Sequence, residues 1–470
     1  MRKLYDIGAR IVFGLVIFAV LAAAILARPP KWLNDFDQSF YLTIAYDIKH
    51  HGVFSDGHVL RDVGGWEVNS TVAAPPPGIF FGPLYPWLIV GATTIDARFA
   101  KAADCSVEAN QGARADTDCE VYARPMHIIH AALLALGVLA IAFAGEIIFA
   151  RRSIFWLAGV LATVALLSDA DLFAFVMTES LTFCLYGVAS LALVLALKAP
   201  RIGSVILVGC LIGLLCLTRA SFVVLVPVVA GLIAINGVWL SPVGWRSVLK
   251  LGLVFALAWV VVVGPWLVRN AVSVGKFSLT EEYGSATLIE RFAFDDMSAR
   301  EFALAFPYCL PEIGAPMVNW AFGPQAMERL VYDAPKSFFR AGRLHRDQLV
   351  EAHGRLDPLI AGLIRTEMRE NWWRYILVSV PLGWCGMWVG GLLGLILAPL
   401  FAWACVAAAR RPKPLFLLYA APALVMLGLH AAVANQFTRY NLILIGPFSV
   451  GAAWIITSIR AFSGKSLPRT

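Results

Sequence analysis

The feature that most limits what this chain can become is a succession of apolar runs, each near the ~20 residues that cross about 30 Å of hydrocarbon. They lie at 11–28, 126–149, 153–168, 173–197, 203–218, 221–239, 249–268, 385–408, 415–433 and 441–459. Inside a bilayer every backbone N–H and C=O must be satisfied within the segment, so each run reads as a helix. The chain is therefore expected to be an all-α polytopic membrane protein with about ten transmembrane helices. Composition agrees: 59% of the 470 residues are hydrophobic and 15% charged, with a mean hydropathy of +0.74. That leaves too little polar surface to cover a water-soluble protein of this size. The net charge of +7 is not gathered into a basic stripe with interleaved aromatics, so membrane lipids are expected partners and nucleic acid is not. The first run follows Met1-Arg2-Lys3 and Arg10 and stays apolar through Ala22-Ala23-Ala24 to Ala27. It reads as a retained helix rather than a cleaved leader.

Orientation follows from the short basic loops. Arg2, Lys3, Arg10, Arg151, Arg152, Lys198, Arg201, Arg246, Lys250, Arg410, Arg411, Lys413, Arg460, Lys465 and Arg469 share one side if ten helices alternate, and that side is the cytoplasm. The alternation requires the apolar stretch 79–92 to stop short of a crossing. Its length of roughly 14 residues, with Pro83 and Pro86 inside it, suits an interfacial or re-entrant helix. Two large segments then lie outside. The chain divides into an N-terminal transmembrane core, 1–268, that includes a first periplasmic loop at 29–124; a periplasmic segment, 269–374; and C-terminal transmembrane helices, 375–470. The expected setting is a bacterial inner membrane with both termini cytoplasmic and the functional surface periplasmic.

Both external segments are expected to carry interfacial helices. In the first, Phe40, Tyr41, Ile44, Ala45 and Ile48 recur at helical spacing and predict a short amphipathic helix ending near Gly52. Asp37 sits at its start, where a helix cap is the plain alternative to a functional role. Pro75-Pro76-Pro77-Gly78 fixes an extended turn beyond it. In the second segment, Leu349 to Trp373 predicts an amphipathic helix on the membrane, leading into the apolar stretch 376–384. Of the eight cysteines, Cys184, Cys210, Cys216, Cys385 and Cys405 lie in apolar runs and read as small core residues. Cys105 and Cys119 fall in an external polar stretch where a disulfide is one reading, with Cys309 as a competing partner.

Under this topology Asp37, Asp169, Asp171, Glu179, Arg219, Arg269, Asn270, Arg439 and Tyr440 converge at the external ends of the helices. Charges at that depth face a cavity or one another rather than lipid. Glu179 is the sharpest case, set inside the apolar run 173–197. Carboxylates on two elements supply a base for a hydroxyl or amine nucleophile, and the arginines supply cations for a phosphate leaving group. The alternative is a set of caps and interface anchors. Asp35, Asp37 and Glu179 offer oxygen ligands, so a divalent metal is possible, but no His- or Cys-rich spacing demands one.

The motifs carry a resemblance to a family. Asp37, Tyr41, Ala45 and Gly52 match the first-loop pattern of the type C (GT-C) membrane glycosyltransferases, and the chain resembles the bacterial protein O-mannosyltransferase and lipid A aminoarabinose transferase families. Pro76 to Leu88 resembles their proline-rich segment, Thr178-Glu179-Ser180-Leu181 their second acidic motif, and Thr218-Arg219 a helix end. Pro265-Trp266-Leu267-Val268-Arg269-Asn270 and Arg439-Tyr440-Asn441 resemble their later motifs. The family commonly has Asp-Glu where this chain has Asp37-Gln38; Asp35 is the candidate substitute. The resemblance implies a glycosyltransferase moving a sugar from a polyprenyl-phosphate donor to a lipid, glycan or protein acceptor, by inverting displacement. It implies Asp37 as base and Glu179 as second acidic residue, with Asp35, Tyr41, Arg219, Arg269, Asn270, Arg439 and Tyr440 in substrate binding. A secondary transporter and a polysaccharide ligase or polymerase are the rival readings; no repeat of two halves is visible, which counts against the transporter.

Overall fold

A computed structural model describes residues 2–29, 31–33, 37–57, 59–61, 65–67, 74–110, 118–240, 244–332, 334–434 and 438–463. The protein is an α-helical membrane protein. Its helices, in chain order, begin with α1 Arg2–Leu26, α2 Gln38–His51, α3 Leu84–Ile95, α4 Ala97–Asn110, α5 Arg124–Phe149 and α6 Arg152–Ser168. There follow α7 Ala170–Phe173, α8 Glu179–Lys198, α9 Ile202–Thr218, α10 Leu225–Ile235, α11 Trp245–Ser273 and α12 Tyr283–Phe292. The remainder are α13 Ala299–Tyr308, α14 Gly314–Phe322, α15 Phe338–His353, α16 Asp357–Gly386, α17 Gly394–Arg410, α18 Pro414–Val433 and α19 Ile445–Ser463. A short antiparallel pair, Val59–Arg61 with Gly65–Glu67, lies between α2 and α3.

Eight helical stretches among the described residues are long and apolar enough to cross a membrane, and three shorter apolar helices accompany them: Leu84–Ile95, Arg152–Ser168 and Ile202–Thr218. The ten apolar runs of the sequence fall on these eight stretches and on α6 and α9, and the stretch 79–92 falls on α3. Burial separates helix faces as a bilayer requires. On α11, Leu249, Leu253, Leu257, Val260 and Val261 are exposed in one stripe, which suits lipid contact. On α1, Ile17, Leu21 and Ile25 are buried at a spacing of four, and Arg10 pairs with Glu146 of α5 at 2.8 Å. Helix α8 is buried on most of its surface and stands at the centre, against α5 and α9.

Two groups of helix ends come together. Asn236 and Lys198 reach carbonyls of Leu197 and Ile147 at one end, while Arg219, Thr178 and Glu179 meet at the other. Three sequence expectations need correction. The run 385–408 is not one helix: α16 ends at Gly386, and the candidate span begins at Gly391. The amphipathic stretch 349–373 is split between α15 and α16, because Gly354 takes φ +74°, a conformation glycine adopts without steric cost. Cys385 is not a lone core residue but is bonded to Cys309; the two lie at the end of α13 and near the end of α16. Cys105 is bonded to Cys119.

Candidate active site

Asp37 immediately precedes α2, yet its side chain makes no capping hydrogen bond. Its Oδ2 instead lies 2.8 Å from the Arg439 guanidinium, so an ion pair replaces the cap. The next residue, Gln38, is fully buried. Its amide nitrogen donates to the Trp32 carbonyl at 2.6 Å and its Oε1 accepts from the Val176 amide at 3.1 Å. A carboxylate cannot donate, so Glu at this position would set an anion against the Trp32 oxygen. This accounts for Gln38 where the resembling families have Glu.

Glu179 opens α8 and is 3% exposed. The Arg219 guanidinium, at the C-terminal end of α9, donates to Glu179 Oε1 at 2.6 Å and, through Nε, to Thr178 Oγ1 at 2.8 Å. Glu179 Oε2 is buried without a hydrogen-bond partner among the described residues. Arg439 belongs to the 3-10 turn Thr438–Leu444. The Tyr440 ring stands between the two cations, 5.5 Å from Arg219 and 5.2 Å from Arg439. Two anions, two cations and one aromatic ring thus form a single alternating cluster built from four separate parts of the chain. Tyr41 supports it from α2: its ring packs 4.8 Å from Phe81 and 5.3 Å from Tyr85. Burial holds its phenol above the usual range, which keeps it a neutral hydroxyl.

The cluster borders a cavity of about 320 Å³. Asp37, Tyr41, Arg219, Tyr283 and Tyr440 contribute polar groups, and Val223, Val224, Leu288, Leu429 and Val433 supply apolar wall. Gly82 admits the Phe80-Phe81 segment beside the end of α9, since a Cβ there would lie 2.3 Å from the Leu217 carbonyl oxygen.

The other candidate residues are placed elsewhere. Arg269 donates to the carbonyls of Gly78 and Phe54 at 2.8 and 2.7 Å, holding the proline-rich turn. Asn270 is fully buried and donates to the Ser278 carbonyl. Arg269 lines a second cavity and Asn270, also on α11, holds the loop that follows; neither joins the Asp37–Glu179 cluster. Asp171 faces Arg28 and Lys31 at 3.6 and 3.8 Å. Asp169 accepts from the Gly390 amide, and burial pushes its carboxyl up to about 6. Asp35 lies outside the described residues.

For a divalent metal the donor set fits poorly: Asp37 and Glu179 each already face a guanidinium, and Gln38 has both amide ends engaged. A separate acidic group, Glu281, Glu282 and Asp357, lies within 4.8 Å of itself. Its oxygens are taken up by Lys276 and Arg355, by backbone amides and by Ser285.

Two lining residues were not singled out from the sequence as site residues. His430 sits near the end of α18, with Nδ1 2.9 Å from Asn441 Oδ1, and Tyr283 opens α12. A histidine inside the apolar run 415–433, nine residues before Arg439, was the available signal.

No protein-family model and no curated protein matches the chain. Among solved structures, an oligosaccharyltransferase of Archaeoglobus fulgidus, crystallised with Zn and sulfate, aligns over 96% of this chain and 50% of its own, at 13% identity and TM-score 0.49. The same organism's AglB, in complex with an inhibitory peptide and a dolichol-phosphate, gives 12% identity and TM-score 0.48 over 97% and 52%. ArnT from Cupriavidus metallidurans, bound to undecaprenyl phosphate, aligns over 98% of this chain and 82% of its own, at 14% identity and TM-score 0.41. The chain spans about half the length of the archaeal enzyme. All three TM-scores lie below 0.5, and the functional reading rests on the residues of the cavity.

Proposed function

We propose that the protein is a glycosyltransferase of the type C architecture, which transfers a sugar from a polyprenyl-phosphate donor to an acceptor at the periplasmic face of a bacterial inner membrane. The observation that carries this reading is the pairing of Asp37 with Arg439 and Glu179 with Arg219 across Tyr440, at the edge of a cavity whose remaining wall is apolar. A lipid-linked phosphosugar needs these surroundings: an apolar passage for the prenyl chain, guanidinium groups for the phosphate, and a carboxylate for the incoming nucleophile.

In the proposed reaction the acceptor hydroxyl or amine loses its proton to Asp37 and attacks the anomeric carbon from the face opposite the phosphate. The bond to the phosphate oxygen breaks, and the configuration inverts. Charge that develops on the departing polyprenyl phosphate falls to Arg219 and Arg439. Arg439, shared between Asp37 and the phosphate, would release the carboxylate as it engages the anion. Glu179 fixes Arg219 rather than meeting substrate directly. Arg269 and Asn270 act in this scheme by holding the loops that close the site.

Asp37→Asn tests the reading. Inverted and right-side-out vesicles carrying the variant should insert the protein normally and transfer no labelled sugar from an undecaprenyl-phosphate donor; full activity would remove Asp37 as base. Cysteines introduced at Ser70 and Ser241 test the sidedness, since only the former should react with an impermeant maleimide from outside.

A further inference from the structure

His430 is the one imidazole on the wall of the 320 Å³ cavity among its described lining residues. It is 8% exposed and is held from behind: Nδ1 lies 2.9 Å from Oδ1 of Asn441, itself 3% exposed. An amide oxygen only accepts, so Nδ1 carries the hydrogen of this bond. In the neutral ring that leaves Nε2 with a lone pair and no hydrogen. No hydrogen bond to Nε2 is formed by the described residues. The ring is further fixed by Tyr440, 5.7 Å away between centroids. The neighbouring cavity groups include the Arg219 guanidinium, the hydroxyls of Tyr41, Tyr283 and Ser221, and the Asp37 carboxylate, while the Thr218 hydroxyl donates to the Leu214 carbonyl. A pre-oriented neutral acceptor on the same wall as the Tyr440 ring is matched by a ligand that presents O–H groups.

We infer that His430 Nε2 accepts a hydrogen bond from a hydroxyl of the transferred sugar, so that His430 and Asn441 help select the glycosyl group while the arginines hold the phosphate. The inference rests on the glycosyltransferase reading and adds to it a residue that recognises the sugar. A phosphate monoester in its dianionic form, which prevails at pH 8, well above its second pKa of about 6, carries no hydrogen to offer Nε2, so at that pH the bare carrier gains nothing from this contact.

The experiment compares, at pH 8, binding of undecaprenyl phosphate with that of undecaprenyl-phosphate glucose, mannose and arabinose to the purified full chain in nanodiscs. Three proteins are used: the unaltered chain, His430→Phe, which keeps a ring without the acceptor, and His430→Gln, whose side-chain oxygen reaches the position of Nε2. Loss of one hydrogen bond should weaken the preferred glycosylated lipid roughly 2- to 12-fold in His430→Phe. Binding of undecaprenyl phosphate should stay unchanged, and His430→Gln should recover most of the difference. Equal weakening of carrier and glycosylated carrier makes His430 a packing residue and overturns the inference. So does an unaltered chain that binds the carrier but gains no affinity from any of the sugars. Failure of the unaltered chain to bind undecaprenyl phosphate at all overturns the glycosyltransferase reading itself, and the role of His430 with it.

Discussion

Replacing Arg219 by Met leaves Glu179 as a buried anion, and the cost can be set against that of the reciprocal change. Glu179 is 3% exposed, its Oε1 accepts from Arg219 at 2.6 Å, and Oε2 has no partner among the described residues. Removing the cation from a buried pair costs about 3–5 kcal/mol, because the remaining charge stays uncompensated in low dielectric. Arg219→Met also removes the bond from Nε to Thr178 Oγ1, worth about 1 kcal/mol. Glu179→Gln is milder, since Arg219 keeps Thr178 and its side chain is 19% exposed against 3% for Glu179; about 1–3 kcal/mol is expected. The double variant should then lose less than the sum by about 2 kcal/mol or more, because it contains no stranded charge. Unfolding in mixed micelles, followed by tryptophan fluorescence at one detergent composition, measures all four proteins. Additive losses would show that the two side chains do not share a buried pair and would refute the electrostatic account of the site.

Asp47 is 1% exposed and accepts from Ser55 Oγ at 2.5 Å, and burial lifts its carboxyl from the ordinary 3.8 to about 6. A raised carboxyl favours the fold in its protonated form, so this contribution is full below about pH 4 and is lost as the pH rises through about 6. Asp47→Asn should therefore raise stability at pH 8 by on the order of 2–3 kcal/mol and flatten the pH dependence between 5 and 8; thermal midpoints at pH 5 and pH 8 decide it. Non-reducing peptide mapping should recover Cys105–Cys119 and Cys309–Cys385. Cys309→Ala, opening a link between residues 76 apart, should cost about 2–4 kcal/mol. Arg269→Met should destabilise the turn at Phe54 and Gly78 while leaving undecaprenyl phosphate binding intact; a selective loss of lipid binding would instead place Arg269 among the phosphate ligands.

What could be read from the chain depended on whether the governing interactions were local. Apolar runs are local, so the helices themselves are visible in the order of residues. Glu179 stood out because a carboxylate within an apolar run has few tolerable surroundings. Arg219, Arg269 and Arg439 looked alike, each an arginine near a helix end. What separates them is the partner: Glu179 and Thr178 for the first, two carbonyls of a remote turn for the second, Asp37 for the third. No spacing rule encodes that choice, since the Arg269 contact with Phe54 spans more than two hundred positions. The same holds for Cys385, whose apolar neighbours gave no hint of Cys309. His430 was overlooked because its meaning comes from Asn441 beyond the end of its helix.

Arg291 has a consequence beyond packing. This cation is wholly buried, paired with Asp295 at 2.8 Å, and donates to the carbonyls of Ala431 and Tyr375 and to Ser379 Oγ. It therefore rivets α12 to the tail of α18, one residue past His430. A graft or excision of 269–374 would strip those carbonyls of their donor and loosen the wall beside His430, so this portion cannot be exchanged like a cap without carrying its rivet along.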